Sequence, residues 1–320
     1  MHILFLGYSS LVRRRILPML DQLPQITRVS IAKAGSHAWD ESAMSVVHER
    51  FVGYEAAERQ CRPDLVYVST VNSTHHALAM TWLQKGCHVV IDKPATLSLA
   101  DTQSLLAVAA DRNVLVAEAT VYTFHPQVAL IRDAFRAADS APRYMTAQFS
   151  FPPLEAPNFR YRADLGGGAL FDTAPYAVSL GRVFFADLPT TVFGTCNERT
   201  ADGLCISYSV LLQYPGGRSL IGHFGFTTQY SNHLSLLGDS VAVDVDRIFT
   251  TPETGENSIT VRCHKSTTVT VCPPANSFVL FFEHLFSSLE QGAYGKFADD
   301  MRYDAQVIQS LREQIDGALA

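Results

Sequence analysis

The sequence predicts two joined parts. The first is a doubly wound, parallel α/β domain over residues 1–120. The second is an α+β domain over 121–320, built on a large, mainly antiparallel open sheet. Three observations predict this. Short apolar runs alternate with helical periodicity up to about residue 120. From about residue 143, strand-like runs follow one another without helices between them. The chain has 320 residues, 47% of them hydrophobic, which is too long for one mean-sized domain and apolar enough to bury a large core.

The elements follow in order. His2 to Leu6 is an apolar run that stops at Gly7, as a buried parallel strand does. Leu11 to Leu20 has apolar residues at roughly helical spacing around Arg13, Arg14 and Arg15. Val29 to Ala32 and Asp64 to Thr70 are further strands. His76 to Lys85 reads as a helix closed by Gly86. His88 to Ile91 is a strand that runs into Asp92-Lys93-Pro94. Leu99 to Arg112 is an Ala/Leu-rich helix, and Val114 to Ala117 is another strand. In the second half the strand-like runs are Tyr144 to Phe151, Thr190 to Cys196, Leu204 to Tyr214, Ser219 to Thr228, Val241 to Phe249, Ser258 to Cys263 and Thr267 to Cys272. Turns at Pro215-Gly216-Gly217 and Pro252 to Gly255 separate some of them. Helical periodicity returns over Ser277 to Gln291 and Asp299 to Leu319, and the last helix is a candidate to pack back on the first domain.

Composition excludes several classes. A formal charge of −6 gives no global basic field for nucleic acid or an anionic membrane. The six cysteines form no CxxC pair, and no Cys/His cluster has zinc spacing, so no metal is expected. Reduced, mostly buried thiols point to the cytoplasm. The N-terminal apolar run precedes its arginines, the reverse of a secretory signal. No apolar stretch approaches the span of about 20 residues that crosses a bilayer.

The first turn, Gly7-Tyr8-Ser9-Ser10-Leu11-Val12, partly meets the needs of a dinucleotide-binding turn. Gly7 allows the tight bend, while Ser9 and Ser10 are small and precede a helix start. Ser9 and Val12 stand where GxGxxG has glycines, so the turn alone equally describes an ordinary strand-to-helix connection. At the end of the second strand no carboxylate appears until Asp40. Lys33 and Ser36 instead suit a ribose 2′-phosphate, which makes NADP(H) the preferred cofactor and NAD(H) the alternative, although a solvated loop lysine would read the same way. Thr70, Val71, Asn72 and His75 follow the third predicted strand, and Asp92 and Lys93 close the fourth. All lie at carboxyl ends, where open α/β sheets bind ligands. A lysine there binds a ribose hydroxyl or stabilises a developing alkoxide.

Tyr161 to Tyr176 is the richest segment. Gly166, Gly167 and Gly168 permit close approach of another group. Asp172 and Tyr176, four apart, share a face if the run is helical, and Pro175 fits only near a helix start. An acid beside a phenol supplies a proton donor and its orienter, although a core-edge tyrosine and a capping aspartate would read the same way.

Together these segments resemble the glucose–fructose oxidoreductase / inositol dehydrogenase (Gfo/Idh/MocA) superfamily of NAD(P)-dependent sugar oxidoreductases. Thr70 to His75 is similar to its TPNxxH segment, with Val71 for proline. Asp92-Lys93-Pro94 is similar to EKP, Phe124 to Gln127 to FHPQ, and Gly166 to Tyr176 to GGGxLxDxGxH/Y with Ala174 for glycine. A narrower resemblance is to the sugar-nucleotide 3-ketoreductases of deoxysugar biosynthesis. It rests on Gly7 to Leu20, similar to GCADIAxRRxLPAL, and on Tyr161 to Tyr176. The resemblance implies a Rossmann domain followed by a substrate domain. It implies Lys93 and Tyr176 as the catalytic pair, and pairing of copies into a homodimer or homotetramer through the open face of the second sheet. On this reading NADPH reduces a keto group on a nucleotide-linked hexose, Tyr176 donates a proton, and Lys93 helps it do so near neutral pH. Asp172 then bonds the substrate or orients Tyr176, and Arg160 or Arg162 meets the substrate diphosphate. Two alternatives stay open: a dehydrogenase of a free sugar or cyclitol, and a non-catalytic dinucleotide sensor.

Overall fold

The computed structural model describes residues 1–36, 38–41, 44–264 and 266–317. The chain divides into two compact units, Met1–Ala119 with Phe278–Arg302, and Thr120–Ser277 with the chain from Tyr303 onward.

The first unit holds six parallel strands: β1 (His2–Leu6), β2 (Arg28–Lys33), β3 (Glu49–Val52), β4 (Leu65–Val68), β5 (His88–Ile91) and β6 (Val116–Glu118). Their order is β3-β2-β1-β4-β5-β6, and every pairing is parallel. That order reverses direction between β1 and β4, which opens a crevice at their carboxyl ends. The helices are α1 (Tyr54–Gln60), α2 (His75–Gln84) and α3 (Leu99–Arg112). Ser98 caps α3 by accepting from the Asp101 amide at 3.0 Å, and Asn113 ends it in the left-handed conformation.

The stretch after β1 differs from the expected helix. It is one π-helical turn, Val12–Ile16, followed by a 3-10 segment, Leu17–Gln22. Pro18 has no amide to continue an α-helical ladder, so the periodicity survives while the hydrogen bonding changes. Two further elements, β3 and α1, fall where no run was predicted.

The second unit carries the helices α4 (Pro126–Ala137), α5 (Ala169–Asp172) and α6 (Ala174–Phe184), and eight strands: β7 (Tyr144–Ser150), β8 (Thr191–Arg199), β9 (Cys205–Tyr214), β10 (Arg218–Gly225), β11 (Ser231–Leu237), β12 (Val241–Asp246), β13 (Asn257–Cys263) and β14 (Ser266–Cys272). The sheet order is β14-β13-β12-β11-β7-β10-β9-β8. All its pairings are antiparallel except β7 with β10, so the expected sheet is present with one parallel joint. α4 and α6 lie on one face, against β12–β14 and β10, over a core that includes Phe149, Tyr208, Phe224 and Leu234.

α4 explains the Phe124 to Gln127 segment. His125 caps the helix, Pro126 takes its first turn, and buried Gln127 donates to the Ile248 carbonyl at 2.7 Å. The final helices are α7 (Ser277–Gln291) and α8 (Gly295–Gly317). Residues 318 and 319 of the predicted terminal helix lie outside the described residues. Among the described residues no helix is long and apolar enough to cross a membrane.

Candidate active site

In the first unit the predicted residues gather at the carboxyl ends of the strands. Gly7 follows β1 with φ +106, and its amide donates to the Ala32 carbonyl at 2.8 Å. A Cβ at Gly7 would lie 1.9 Å from the Ser69 carbonyl oxygen, so only glycine lets β1 and β4 end this close together. Ser9 Oγ accepts from the Val12 amide at 3.0 Å and meets Ser69 Oγ at 2.7 Å. The serine at the second glycine position therefore caps the turn and ties it to β4. Ser10 is exposed, Tyr8 and Leu11 are half-buried, and Val12 is buried.

Lys33 closes β2. It is only 2% exposed, and its ammonium sits 4.0 Å from the centre of the Trp39 ring. Tyr8 packs edge-on against Trp39, and Arg13 pairs with Asp40 at 3.6 Å. The first acidic residue after β2 is thus occupied by an arginine, beside a buried lysine. Ser36 is exposed nearby in sequence. Trp39 carried no signal in the sequence, because a loop tryptophan has no periodicity to place it.

After β4, Val71 has φ −72, close to the angle a proline ring imposes, so the position where the similar motif has proline keeps that backbone shape. Thr70 Oγ1 and Thr74 Oγ1 lie 2.7 Å apart, and Asn72 is buried. His75 is fully buried and braces two backbones: Nδ1 is 2.9 Å from the Pro94 carbonyl and Nε2 3.2 Å from that of Thr70. Burial lowers its proton affinity, against those two carbonyl contacts. Asp92 is held by hydrogen bonds donated by Tyr67 and Ser69. Burial pushes its carboxyl up and the two donors oppose that. Lys93, half-buried, follows directly. Tyr67 and Ser69 were missed in the sequence. The available signal was a tyrosine inside a buried strand, whose hydroxyl needs a partner. Asp92, Lys93, Thr70 and Gly7 therefore share one crevice edge built by Ser69 and His75.

In the second unit the glycine segment turns twice. Gly166 and Gly168 have positive φ, and Gly168 precedes α5. The run breaks at Thr173, and α6 begins at Ala174 with Pro175 in its first turn, as the proline requires. Asp172 is buried and pairs with Arg160, whose Nε is 2.8 Å from its Oδ2. Burial works against the Arg160 charge, and Asp172 more than restores it. Tyr176 sits in an aromatic cage, with ring centres of Phe149, Phe249 and Tyr122 at 4.9, 5.2 and 6.0 Å. Arg162 is different. It is exposed and makes a two-pronged pair with Asp164 at 2.9 and 2.7 Å.

Among the described residues one His/Glu/Cys group, His2, Glu49 and Cys61, has ligand atoms within 4.8 Å of one another. It lies at the amino ends of the strands, where Ser30 Oγ already bonds both His2 and Glu49 at 2.8 Å and Arg28 pairs with Glu49.

Comparison with known proteins adds a second line of observation. Residues 1–120 match the model of an oxidoreductase family with an NAD-binding Rossmann fold, and residues 141–244 match the GFO/IDH/MocA C-terminal domain. The chain is similar to a dTDP-3,4-didehydro-2,6-dideoxy-alpha-D-glucose 3-reductase of Saccharopolyspora spinosa, 32% identical over 77% of this chain and 75% of that one. It is 27% identical to the Actinomadura kijaniata protein of the same name, over 96% of this chain and 93% of the other. A solved 3-ketoreductase from A. kijaniata, in complex with NADP and TDP-benzene, superposes with a TM-score of 0.91 at 25% identity, covering 98% of both chains.

Proposed function

From the premise that the chain belongs to the Gfo/Idh/MocA family of oxidoreductases, we propose that it is a 3-ketoreductase that uses NADPH to reduce a keto group on a nucleotide-linked hexose. The likeness to the dTDP-sugar 3-reductases, which reaches 96% of the chain, carries this reading. The crevice residues fit a phosphorylated dinucleotide. A glycine turn with a helix start faces one way, and a nearly buried lysine stands where NAD-specific sites place an acid.

Residues 1–120 are assigned to the dinucleotide and 121–320 to substrate. The Gly7 to Val12 turn serves the pyrophosphate, Lys33 and Ser36 the 2′-phosphate, and Thr70, Val71, Asn72, His75, Asp92 and Lys93 the strand-end contacts. When bound, NADPH supplies the hydride. Tyr176 holds the proton that the developing alkoxide needs, and Lys93 supplies fixed positive charge. Asp172 bonds the substrate or orients Tyr176, and Arg160 or Arg162 meets the substrate diphosphate; each arginine already pairs with an aspartate, and Arg162 is the exposed one. The protein works in the cytoplasm as a homo-oligomer.

The test is loss of the nicotinamide absorbance with a panel of ligands. Oxidation of NADPH by a dTDP-linked 3-keto hexose, and not by free keto sugars, is the expected result. Reduction of NADP+ by a free sugar or cyclitol alone would favour the dehydrogenase reading. Dinucleotide binding without any turnover would favour the sensor.

A further inference from the structure

We propose that Arg160 is a positioning residue that acts through Tyr176: its guanidinium, tethered by Asp172, sets how readily the phenol gives up its proton. The inference rests on the reading of Tyr176 as proton donor and assigns the tuning of that donor to the second unit itself.

The glycine triplet makes the arrangement. A Cβ at Gly167 would lie 2.6 Å from the Phe159 carbonyl oxygen and 2.7 Å from that of Arg160. The Gly168 amide donates to the Arg160 carbonyl at 2.8 Å, and the Gly167 amide to that of Arg162 at 2.9 Å. The triplet is therefore a seat for the 159–162 turn. Asn158 fixes the start of that turn by accepting from the Arg160 amide at 3.1 Å. From this seat the Arg160 guanidinium lies over the Phe159 ring at 4.9 Å and reaches Asp172 at 2.8 Å. Asp172 ends α5, and Tyr176 follows in the first turn of α6.

The surroundings make the charge count. Three aromatic rings enclose Tyr176, and in such an apolar setting a neighbouring cation acts far more strongly than in water. Among the described residues of this unit, Tyr122 touches the Tyr176 ring, and Tyr208, kept neutral by burial, interacts with Asp172. The Tyr122 hydroxyl is 2.7 Å from Ser179 Oγ, and burial pushes its ionisation far up, so it stays neutral. Asp172 stands four residues before Tyr176 across the Thr173 break, so the Arg160–Asp172 pair is held beside the turn that carries the phenol, and the phenol adds to the field that favours the Arg160 charge. A cation favours phenolate, and the Asp172 carboxylate partly masks that cation. The two members of the pair therefore pull Tyr176 in opposite directions.

That opposition is testable in the whole protein without turnover. Tyrosines are labelled with 13C at Cζ, the Tyr176 resonance is the one missing in Tyr176→Phe, and its midpoint is followed with pH. Arg160→Gln is expected to raise the midpoint by about one unit and Asp172→Asn to lower it, while Arg160→Lys stays near wild type. The pH profile of kcat should move with the midpoint. An unchanged midpoint in Arg160→Gln, or shifts of the same sign in both variants, overturns the proposal and leaves the pair a scaffold. If Arg160→Gln does not fold, Arg160→Met takes its place, with the same expected rise and the same overturning result. Full turnover by Tyr176→Phe would instead remove the premise that this phenol is the donor, a separate outcome from any resonance shift.

Discussion

Gly7 joins β1 to the Ser69 carbonyl at a backbone angle of φ +106. Adding a methyl group there meets the Ser69 carbonyl and demands a backbone angle that alanine disfavours. Gly7→Ala should cost at least about 2 kcal/mol, measured by urea unfolding, and weaken NADPH binding as well. Lys33 makes a sharper prediction about cofactor choice. Loss of a charge-assisted contact to a 2′-phosphate is worth tenfold or more, roughly 1.5–3 kcal/mol. Lys33→Met should therefore weaken NADPH binding about tenfold or more and leave NADH almost unchanged; equal losses for both would remove Lys33 from the phosphate. At this scale much of the crevice was legible, because residues at strand ends are marked by where apolar runs stop. What was not legible came from pairing across sequence: Trp39 under Lys33, and Tyr67 and Ser69 holding Asp92. The second glycine position was readable only as a departure, and its role as a cap needed coordinates.

Elements were legible where one face is continuously apolar. β1, β5, α3 and α7 occupy the spans their patterns indicate. β3 and α1 were not, because ERFV and YEAAERQ are half charged and lie at a sheet edge, where burial writes little into the sequence. α4 had a stripe, Val128, Ile131 and Phe135, behind a first-turn proline, in a segment that otherwise matches a motif. β11 hid behind buried Asn232, which bonds Tyr230, Thr250 and the Phe249 amide and interrupts the apolar alternation. The joint between α6 and α8 gives an element-scale prediction. Arg182 meets Asp304 through two contacts of 3.1 and 2.7 Å, with both side chains nearly buried. Arg182→Ala removes this pairing from a nearly buried carboxylate and should cost about 3–5 kcal/mol in chemical unfolding.

Over the whole molecule, burial lowers the proton affinity of His2, His75, His88, His125 and His223. A histidine whose folded pKa is depressed takes up its proton more readily when unfolded, so stability falls as pH drops through about 6.5, the ordinary histidine value. Asp92, raised by burial, acts in the other direction at lower pH. The urea midpoint should therefore decrease between pH 7.5 and pH 5.5, and less steeply in His75→Gln. The open face of the second sheet bears on assembly. Phe193, Leu211 and Ile221 stand side by side across β8, β9 and β10, with Phe193 and Ile221 more than half exposed. Ile221→Lys should shift the protein toward monomer in sedimentation, and an unchanged distribution would place any self-association elsewhere. Reduction assisted by one lysine and one phenol is the central step. Single-turnover oxidation of NADPH by a dTDP-linked 3-keto hexose measures it most directly, in wild type, Lys93→Ala and Tyr176→Phe. Each substitution is expected to slow the hydride step by well over tenfold while dinucleotide binding persists; turnover within about tenfold of wild type in both variants would contradict these roles.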